Sequence, residues 1–439
     1  MAQVTLGDFA PVNKSIWAVN NSTETDVIEK EKVEGVVELQ KNVNIITKKL
    51  APVFGFHISD SESDPASKVT PLVDAVGMTP AKMNYTSGVF DYGSWGDVWF
   101  VEDTKPCILN QDRTIQHYLN KNNYAKNLAG DDVTIDENLT GANVMIEFPK
   151  IWYKVVPDST GYSADIYISP VKVDDDFVDY AYIDYQRLHK EHFYMPAYNG
   201  SLINDVLRSV SGQAVMHSKD AQQEIDYAKA NGAGWYTEDA GEVQLINFLL
   251  TLIGMSTDTQ TVFGRGIDTG NDTAFYAYRT GAGNTKGMFW GSNDGTQLVK
   301  VFGIENWWGL QWRRYAGDVL DNGKQLIKLC YGNEDGSTVT DFNIDGSGYV
   351  DVGVTPSGTN GGYISRMKFA KSGMYSDTSS GSSTTHYCDG QWFNNGYHTI
   401  YALRGGASTD GLCCGAFCVG LDGAPSGANW RVGAAPSCK

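Results

Sequence analysis

The most informative segment of this sequence is Gly303-Ile304-Glu305-Asn306-Trp307-Trp308-Gly309-Leu310-Gln311-Trp312, where three tryptophans and two glycines fall within ten residues. Apolar and aromatic residues interrupted by glycine are typical of short strands joined by tight turns. The segment lies in a long region, from Gly264 to the end of the chain, in which short apolar runs alternate with Gly, Asn, Asp and Ser and no helical periodicity is present. We therefore expect this region to consist of strands and loops.

Upstream of that region the pattern is mixed. Residues 144–155 form a nearly continuous apolar run with a bend at Pro149, and the alternation in residues 164–168 predicts a strand that pairs with this run. Residues 221–231 and 242–254 are predicted to be helices. Helices followed by a glycine-rich strand region favour an α+β fold over a doubly wound α/β fold.

The first 140 residues are predicted to form two parts. Residues 1–52 are expected to be an attachment segment followed by a short helix, and residues 53–140 a smaller mixed domain. Within the smaller domain we predict a helix at 69–76, a turn at 90–95 and a strand at 98–101. Residues 141–439 make up the remaining, largest domain.

Heptad spacing is present in the predicted N-terminal helix. Its apolar positions alternate in steps of three and four residues: Val36, Leu39, Val43, Ile46 and Leu50. This seam predicts an N-terminal helical anchor that associates as a homotrimer through a coiled coil. The alternative is an amphipathic helix that packs on its own domain.

Charge and hydropathy exclude two classes of partner. The formal net charge is -18, which repels phosphate, so we expect no nucleic acid partner. The longest apolar run, residues 248–253, is too short to cross a bilayer, so we expect no membrane insertion. The N-terminus shows no secretion signal, and the seven cysteines are an odd number, which argues against a complete disulfide framework.

Two segments resemble one known family. Gly303, Gly309 and Trp312 match the Gly-Leu-x-x-x-x-Gly-Asn-Val-Trp-Glu-Trp pattern of the formylglycine-generating-enzyme branch of the C-type lectin fold, although the Asn-Val and the final Glu-Trp of that pattern are absent. Residues 403–408, Leu-Arg-Gly-Gly-Ala-Ser, resemble the Arg-Gly-Gly-Ser strand of the same family. The resemblance implies a C-type-lectin-like fold for residues 141–439.

A wider resemblance covers nearly the whole chain. Five internal motifs and the ending from residue 387 to residue 439 are similar to tail proteins of phages that infect gut-type bacteria; the motifs are Ser63-Asp64-Pro65, Val76-Gly77-Met78-Thr79-Pro80, Phe90-Asp91-Tyr92-Gly93-Ser94-Trp95, Glu147-Phe148-Pro149-Lys150-Ile151-Trp152-Tyr153 and Gly232-Ala233-Gly234-Trp235. Some relatives of this type are variable proteins of diversity-generating retroelements, in which reverse transcription rewrites adenine positions near the 3′ end of the gene. The resemblance implies a virion protein that works beside other phage tail proteins and binds a bacterial surface protein or glycan.

The variable-type segment implied by this resemblance lies near residues 385–435. Leu403, Arg404, Gly405, Gly406, Gly415, Ala416, Phe417, Leu421, Trp430 and Gly433 are expected to be scaffold. We expect ligand contacts from side chains that point to solvent from this rigid backbone. These candidates are Tyr387, Trp392, Asn394, Asn395, Tyr397, His398, Ala407, Ser408, Thr409, Asp410, Leu412, Cys413, Cys414, Gly420, Asp422, Gly423, Ser426, Gly427, Ala428, Asn429 and Arg431. The alternative is an ordinary glycine-rich surface loop.

Other functions are weighed against receptor binding. Cys413 and Cys418 are five residues apart, like the copper-binding cysteines of formylglycine-generating enzymes, so a copper-dependent thiol oxidase is one alternative. A structural tail or decoration protein without a receptor is another. Residues 341–348 resemble half of an EF-hand, but Val352 replaces the required acidic residue, which favours an Asx turn over a structural calcium ion. With no hydrolase, Walker or dinucleotide motif in the sequence, we expect no enzymatic activity and no cofactor.

Overall fold

The computed structural model describes residues 51–184, 188–329 and 342–439. The protein is mostly β, with 34% strand and 12% helix, and includes a curled β-sheet half-barrel. Residues from Pro52 onward belong to one compact unit. The predicted N-terminal helix and its trimeric seam lie outside the described residues, so they stay predictions.

The strands are numbered in chain order. The first fourteen are β1 (Phe54–Ile58), β2 (Val69–Val73), β3 (Lys82–Asn84), β4 (Val89–Asp91), β5 (Lys105–Asn110), β6 (Ile115–Asn120), β7 (Asn123–Asn127), β8 (Ala142–Phe148), β9 (Trp152–Pro157), β10 (Ala164–Ser169), β11 (Phe193–Pro196), β12 (Ser201–Ile203), β13 (Val206–Arg208) and β14 (Trp235–Thr237). The strands that follow are β15 (Lys300–Val301), β16 (Ile304–Glu305), β17 (Trp312–Asp321), β18 (Lys324–Ile327), β19 (Val350–Asp351), β20 (Ser357–Gly358), β21 (Gly362–Ala370), β22 (Gly373–Ser379), β23 (Gly390–Phe393), β24 (Ile400–Arg404), β25 (Val419–Leu421), β26 (Val432–Gly433) and β27 (Pro436–Cys438). The helices are α1 (Trp99–Glu102), α2 (Ala221–Lys229), α3 (Ala240–Gly254), α4 (Thr259–Phe263) and α5 (Asp272–Ala277).

Three larger sheets organise the described chain. One has the order β2-β1-β10-β9, a second β14-β27-β11-β8-β5-β6-β7, and the largest β19-β18-β17-β24-β25-β23-β21-β22-β20, with β26 beside β17. Strands from both sides of residue 140 share the first two sheets, since β1 pairs with β10 and β5 pairs with β8. The predicted boundary between residues 140 and 141 therefore does not coincide with a break in the sheets.

Helix α3 is the centre of the core. All 15 of its residues are buried. Asp239 caps its N-terminus by accepting a hydrogen bond from the Glu242 backbone N–H, and the Glu242 side chain accepts one in return from the Asp239 N–H, which satisfies two groups that the helix would leave unpaired. This helix confirms the prediction at 242–254, and α2 confirms the prediction at 221–231.

The apolar run at 144–155 forms two strands, β8 and β9, which separate around Pro149. Strand β10 pairs antiparallel with β9, as the alternation at 164–168 predicted. Because proline lacks a backbone N–H, Pro149 cannot donate a hydrogen bond to a neighbouring strand, and neither β8 nor β9 includes it.

Three element predictions were wrong. Residues 69–73 form the edge strand β2 in place of a helix, because valine and threonine favour strands and Pro71 is tolerated at a sheet edge. The predicted strand at 98–101 is the short helix α1, which buries Phe100 and Val101. Helix α5 lies beyond Gly264, where no helix was expected, because six residues are too few for a periodicity to show.

No helix of the described ranges combines the length and the apolar character that crossing a bilayer requires.

Candidate functional site

The tryptophan-rich segment anchors the largest sheet to helix α3. Trp307 and Trp308 are almost completely buried. The Trp307 indole Nε1 donates to Asn247 Oδ1 at 3.0 Å, and the Trp308 Nε1 donates to the Gly264 carbonyl at 3.0 Å. Because each buried indole has a hydrogen-bond partner, the segment is held in one orientation.

A buried ionic network joins this segment to the Arg-Gly-Gly strand. Glu238 accepts hydrogen bonds from Arg313 at 2.8 Å and from Arg404 at 2.6 Å. The Arg404 guanidinium also lies 3.5 Å from the centre of the Trp307 ring. The two segments that carry the sequence resemblance thus meet at one carboxylate, on the neighbouring strands β17 and β24.

An open cleft of about 310 Å³ lies on the other face of these strands. It is called the C-terminal cleft and is lined by Trp312, Arg314, Trp392, Tyr401, Leu403, Asp410, Gly420, Asp422, Gly423, Ala424, Gly427, Asn429, Arg431 and Val432. Side chains on a strand alternate between its two faces. Trp312 and Arg314 therefore line the cleft, while the intervening Arg313 belongs to the buried network.

The floor of the cleft is a single row of residues across four strands. Arg314 of β17 pairs with Leu403 of β24, Leu403 pairs with Gly420 of β25, and Gly420 pairs with Trp392 of β23. Gly420 has no side chain, and a Cβ added there would lie 3.3 Å from Leu403 Cβ. Because no side chain projects from the middle of the row, the surface is concave at Gly420.

Two indoles form one wall. Trp312 and Trp392 meet edge to face, with ring centres 5.3 Å apart and an angle of 87° between the rings. Trp312 is buried, whereas Trp392 is only partly covered. The buried ring thus holds the accessible one in place, an arrangement that lowers the entropy cost of binding against it.

An ion pair beneath the cleft fixes the loop of residues 422–429. Arg314 lies 2.9 Å from Glu224 Oε2 and donates to the carbonyls of Lys219, at 2.9 Å, and Gly427. Burial raises the pKa of Glu224 to about 7, and the opposing effect of Arg314 is smaller. Beside this pair the Tyr401 hydroxyl is buried without a hydrogen-bond partner among the described residues.

The rim carries polar side chains held by short contacts. Asp410 accepts from the Ala407 N–H at 2.8 Å and lies 3.6 Å from the Arg431 guanidinium. Arg431 also donates to Thr409 Oγ1 at 2.9 Å, and Asn429 accepts from the Arg431 N–H at 2.9 Å. The rim is therefore ordered by its own side chains.

The cleft unites many of the predicted ligand-binding residues. Those that line it are Trp392, Asp410, Gly420, Asp422, Gly423, Gly427, Asn429 and Arg431. Thr409 is exposed and bonded to Arg431 at the rim, and Ser426 and Ala428 are exposed on the same loop as Gly427 and Asn429. The polar character of residues 422–431 correctly indicated an accessible surface.

Five of the predicted residues are buried, contrary to expectation: Gly420, in the cleft floor, and Tyr387, Ala407, Ser408 and Cys414 away from it. The Tyr387 ring packs edge to face against Phe417, 5.6 Å between centres. The Ser408 N–H donates to the Leu310 carbonyl at 3.2 Å, and the Cys414 thiol faces the Ala407 carbonyl at 3.3 Å. Small side chains suit this close packing of backbone on backbone as well as they suit a surface.

The remaining predicted residues lie outside the cleft. Asn395, Tyr397 and His398 are exposed, Asn394 is partly covered, and His398 is 3.8 Å from Asp321, the last residue of β17. Leu412, 42% exposed, lines a separate pocket of about 320 Å³, and Cys413 is partly buried. These side chains do not form one surface with the cleft lining.

Sequence reasoning missed part of the site. Arg314 and Tyr401 were not singled out, Trp312 was noted only as part of the family resemblance, and Leu403 was assigned to the scaffold. Trp430, also assigned to the scaffold, is only partly buried and lies 6.0 Å from the exposed ring of Tyr276. The alternation of Trp312 and Arg314 with Arg313 was a usable signal, but it does not say which face is open.

The geometry lends no support to the metal sites that were considered. Burial raises the pKa of both Cys413 and Cys418, which favours the neutral thiols over the thiolates that bind copper. Within the described ranges no group of three His, Cys, Asp or Glu residues is placed to hold a metal ion. Asp345 accepts from the Ser347 N–H at 2.9 Å, which is the Asx turn that was expected; Asp341 lies outside the described residues.

No protein-family model matches this chain, and no curated protein matches it.

Proposed function

We propose that this protein is a phage tail protein that binds a receptor on the bacterial surface through the C-terminal cleft. In this proposal the strands and loops of residues 141–439 serve as a C-type-lectin-like scaffold, and the cleft rim is the segment open to retroelement diversification. The N-terminal segment attaches the protein to other tail proteins of the virion as a homotrimer. Binding involves no chemical step.

The observation that carries the proposal is the convergence of eight predicted contact residues on one open cleft with a rigid floor. The floor is fixed by sheet pairing and by the pair of Arg314 and Glu224. The rim residues Asp422 and Asn429 are exposed and lie on a loop, so they can differ without disturbing the core. A rigid base with replaceable rim side chains suits selection among receptors.

The test is adsorption to cells. The labelled full-length chain is incubated with a panel of gut-type bacterial strains, and we expect binding to a subset of strains. Exchange of Asp422 and Asn429 for alanine should abolish that binding and leave the melting temperature nearly unchanged. Asp97→Ala, an exposed aspartate that does not line the cleft, is the matched control and should bind like the unmodified protein. Absence of binding to every strain, or equal binding by the double variant, would refute the proposal.

A further inference from the structure

The C-terminal cleft has the size of a small-ligand site. Its volume of about 310 Å³ falls at the lower end of the roughly 300–1,000 Å³ that small-molecule sites occupy. A folded protein partner would instead need a contact surface of about 800 Å² on each side. The concavity at Gly420 therefore suits a compact group that enters the cleft.

The ion pairing of the cleft argues against a charged ligand. Both guanidinium groups that line it already have carboxylate partners, Arg314 with Glu224 and Arg431 with Asp410. Asp422 adds a further carboxylate at the rim, and the whole protein is acidic, with a net charge of -18. A phosphate or carboxylate ligand would thus meet repulsion that no free cation of the lining offsets.

The lining combines groups that recognise a polyhydroxylated ring. Trp392 offers a partly exposed indole, and Asp410, Asp422 and Asn429 offer side-chain acceptors at the rim. Tyr401 also lines the cleft, and its hydroxyl is buried and unpartnered among the described residues. Sugar hydroxyls donate to carboxylates and amides, while the C–H faces of a pyranose stack on aromatic rings.

A second aromatic surface lies beside the rim residue Arg431. Trp430 lies between two cleft residues in sequence, Asn429 and Arg431, and the Arg431 guanidinium is 5.8 Å from its ring centre. The rings of Trp430 and Tyr276 are 6.0 Å apart and tilted by 35°, and Tyr276 is 48% exposed. We call these two rings the aromatic shelf.

We propose that the C-terminal cleft binds a neutral sugar residue of a bacterial surface polysaccharide, stacked on Trp392, with the next sugar resting on the aromatic shelf. This inference rests on the proposed receptor-binding function and names the chemical class of the receptor. The sequence left open whether the receptor is a protein or a glycan, and the proposed sugar site selects the glycan.

One arm of the test uses purified saccharides. The full-length chain is applied to an array of neutral and acidic bacterial oligosaccharides, and quenching of tryptophan fluorescence is followed with the saccharides that bind. We expect neutral saccharides to bind, Trp392→Ala to weaken binding about tenfold, and Trp392→Phe to restore most of it. Tyr276→Ala should reduce affinity for oligosaccharides but leave that for monosaccharides unchanged.

The other arm uses the strains bound by the protein. Periodate, which cleaves vicinal diols of sugars, should abolish adsorption, whereas digestion of the cells with a protease should leave it intact. Adsorption that is lost with protease and survives periodate would overturn the sugar assignment and leave receptor binding standing. Saccharide binding through Trp392 without adsorption to any strain would overturn the receptor-binding proposal and leave the sugar site standing. Failure of both arms would overturn both proposals.

Discussion

Glu238 is the residue whose replacement tests the scaffold most directly. Its carboxylate is completely buried and holds Arg313 at 2.8 Å and Arg404 at 2.6 Å. In Glu238→Gln the amide oxygen can accept from only one arginine, and the amide N–H₂ group faces the other. The two buried guanidinium groups of Arg313 and Arg404 are then left without the negative charge that neutralised them.

The expected loss follows from that geometry. Removing one partner of a buried ion pair costs about 3–5 kcal/mol, because the remaining charge stays desolvated. Burial lowers the pKa of Arg404 to about 10 although Glu238 opposes that shift, so the site disfavours a guanidinium that has lost its carboxylate partner. We expect the free energy of unfolding to fall by about 3–5 kcal/mol, a large share of the roughly 5–15 kcal/mol typical of a folded protein.

The measurement is urea denaturation followed by tryptophan fluorescence, with the slope of the transition compared between variants. The control is Asp175→Asn, which removes an exposed ion pair. The side chain of Lys172 is 40% exposed and that of Asp175 is 105% exposed. This substitution should change stability by less than about 1 kcal/mol. If Glu238→Gln changes stability as little as this control, the buried network does not hold the two strands together and the reasoning fails.

Three other variants probe the remaining assignments. Ser408→Leu should destabilise the protein by about 1–3 kcal/mol because the site is fully packed, whereas Asn429→Leu at the exposed rim should be neutral in thermal melting; equal effects would contradict the assigned burial. Gly406→Ala should cost more than Gly411→Ala, since both have positive φ (78° and 59°) but only at Gly406 would the new Cβ lie 2.6 Å from a neighbouring sulfur atom; denaturation midpoints in the reverse order would contradict this. Burial raises the pKa of the Asp318 carboxyl to about 7 from an ordinary 3.8, so the folded protein binds this proton more tightly than the unfolded chain does. The free energy of unfolding should therefore fall as the pH rises from about 4 to 7. Asp318→Asn should remove this part of the pH dependence, and denaturation curves that depend on pH in the same way as those of the unmodified protein would contradict the assignment.

Local sequence was sufficient where local interactions fix the element. The helix at 240–254 has both a capping box at Asp239 and Glu242 and a continuous apolar run, so its position is determined within its own residues. The strands around Pro149 are likewise defined by composition. Residues 69–73 show the opposite case, because their place as an edge strand depends on β1, a partner supplied by the tertiary fold.

The site was predictable only in part, for a related reason. Residues 422–429 were correctly expected at the surface because glycine, aspartate and asparagine favour loops. Ala407 and Ser408 were also expected at the surface but are buried, since a small side chain is equally compatible with solvent and with backbone packed against backbone. Which of the two applies depends on the approach of Leu310 to Ser408, a contact between residues almost a hundred positions apart.

The cleft itself is a property of strand order that local sequence does not contain. Its floor joins Arg314, Leu403, Gly420 and Trp392 in one row, yet β25 pairs antiparallel with β24 on one side and parallel with β23 on the other. The parallel pairing reverses the chain direction relative to a simple hairpin and so brings Trp392 beside Gly420. Because the row depends on this register, a slip of one residue in β25 would place Val419 or Leu421 at its centre and fill the cleft. The proposed recognition of a receptor therefore depends on the sheet beneath the rim as much as on the rim.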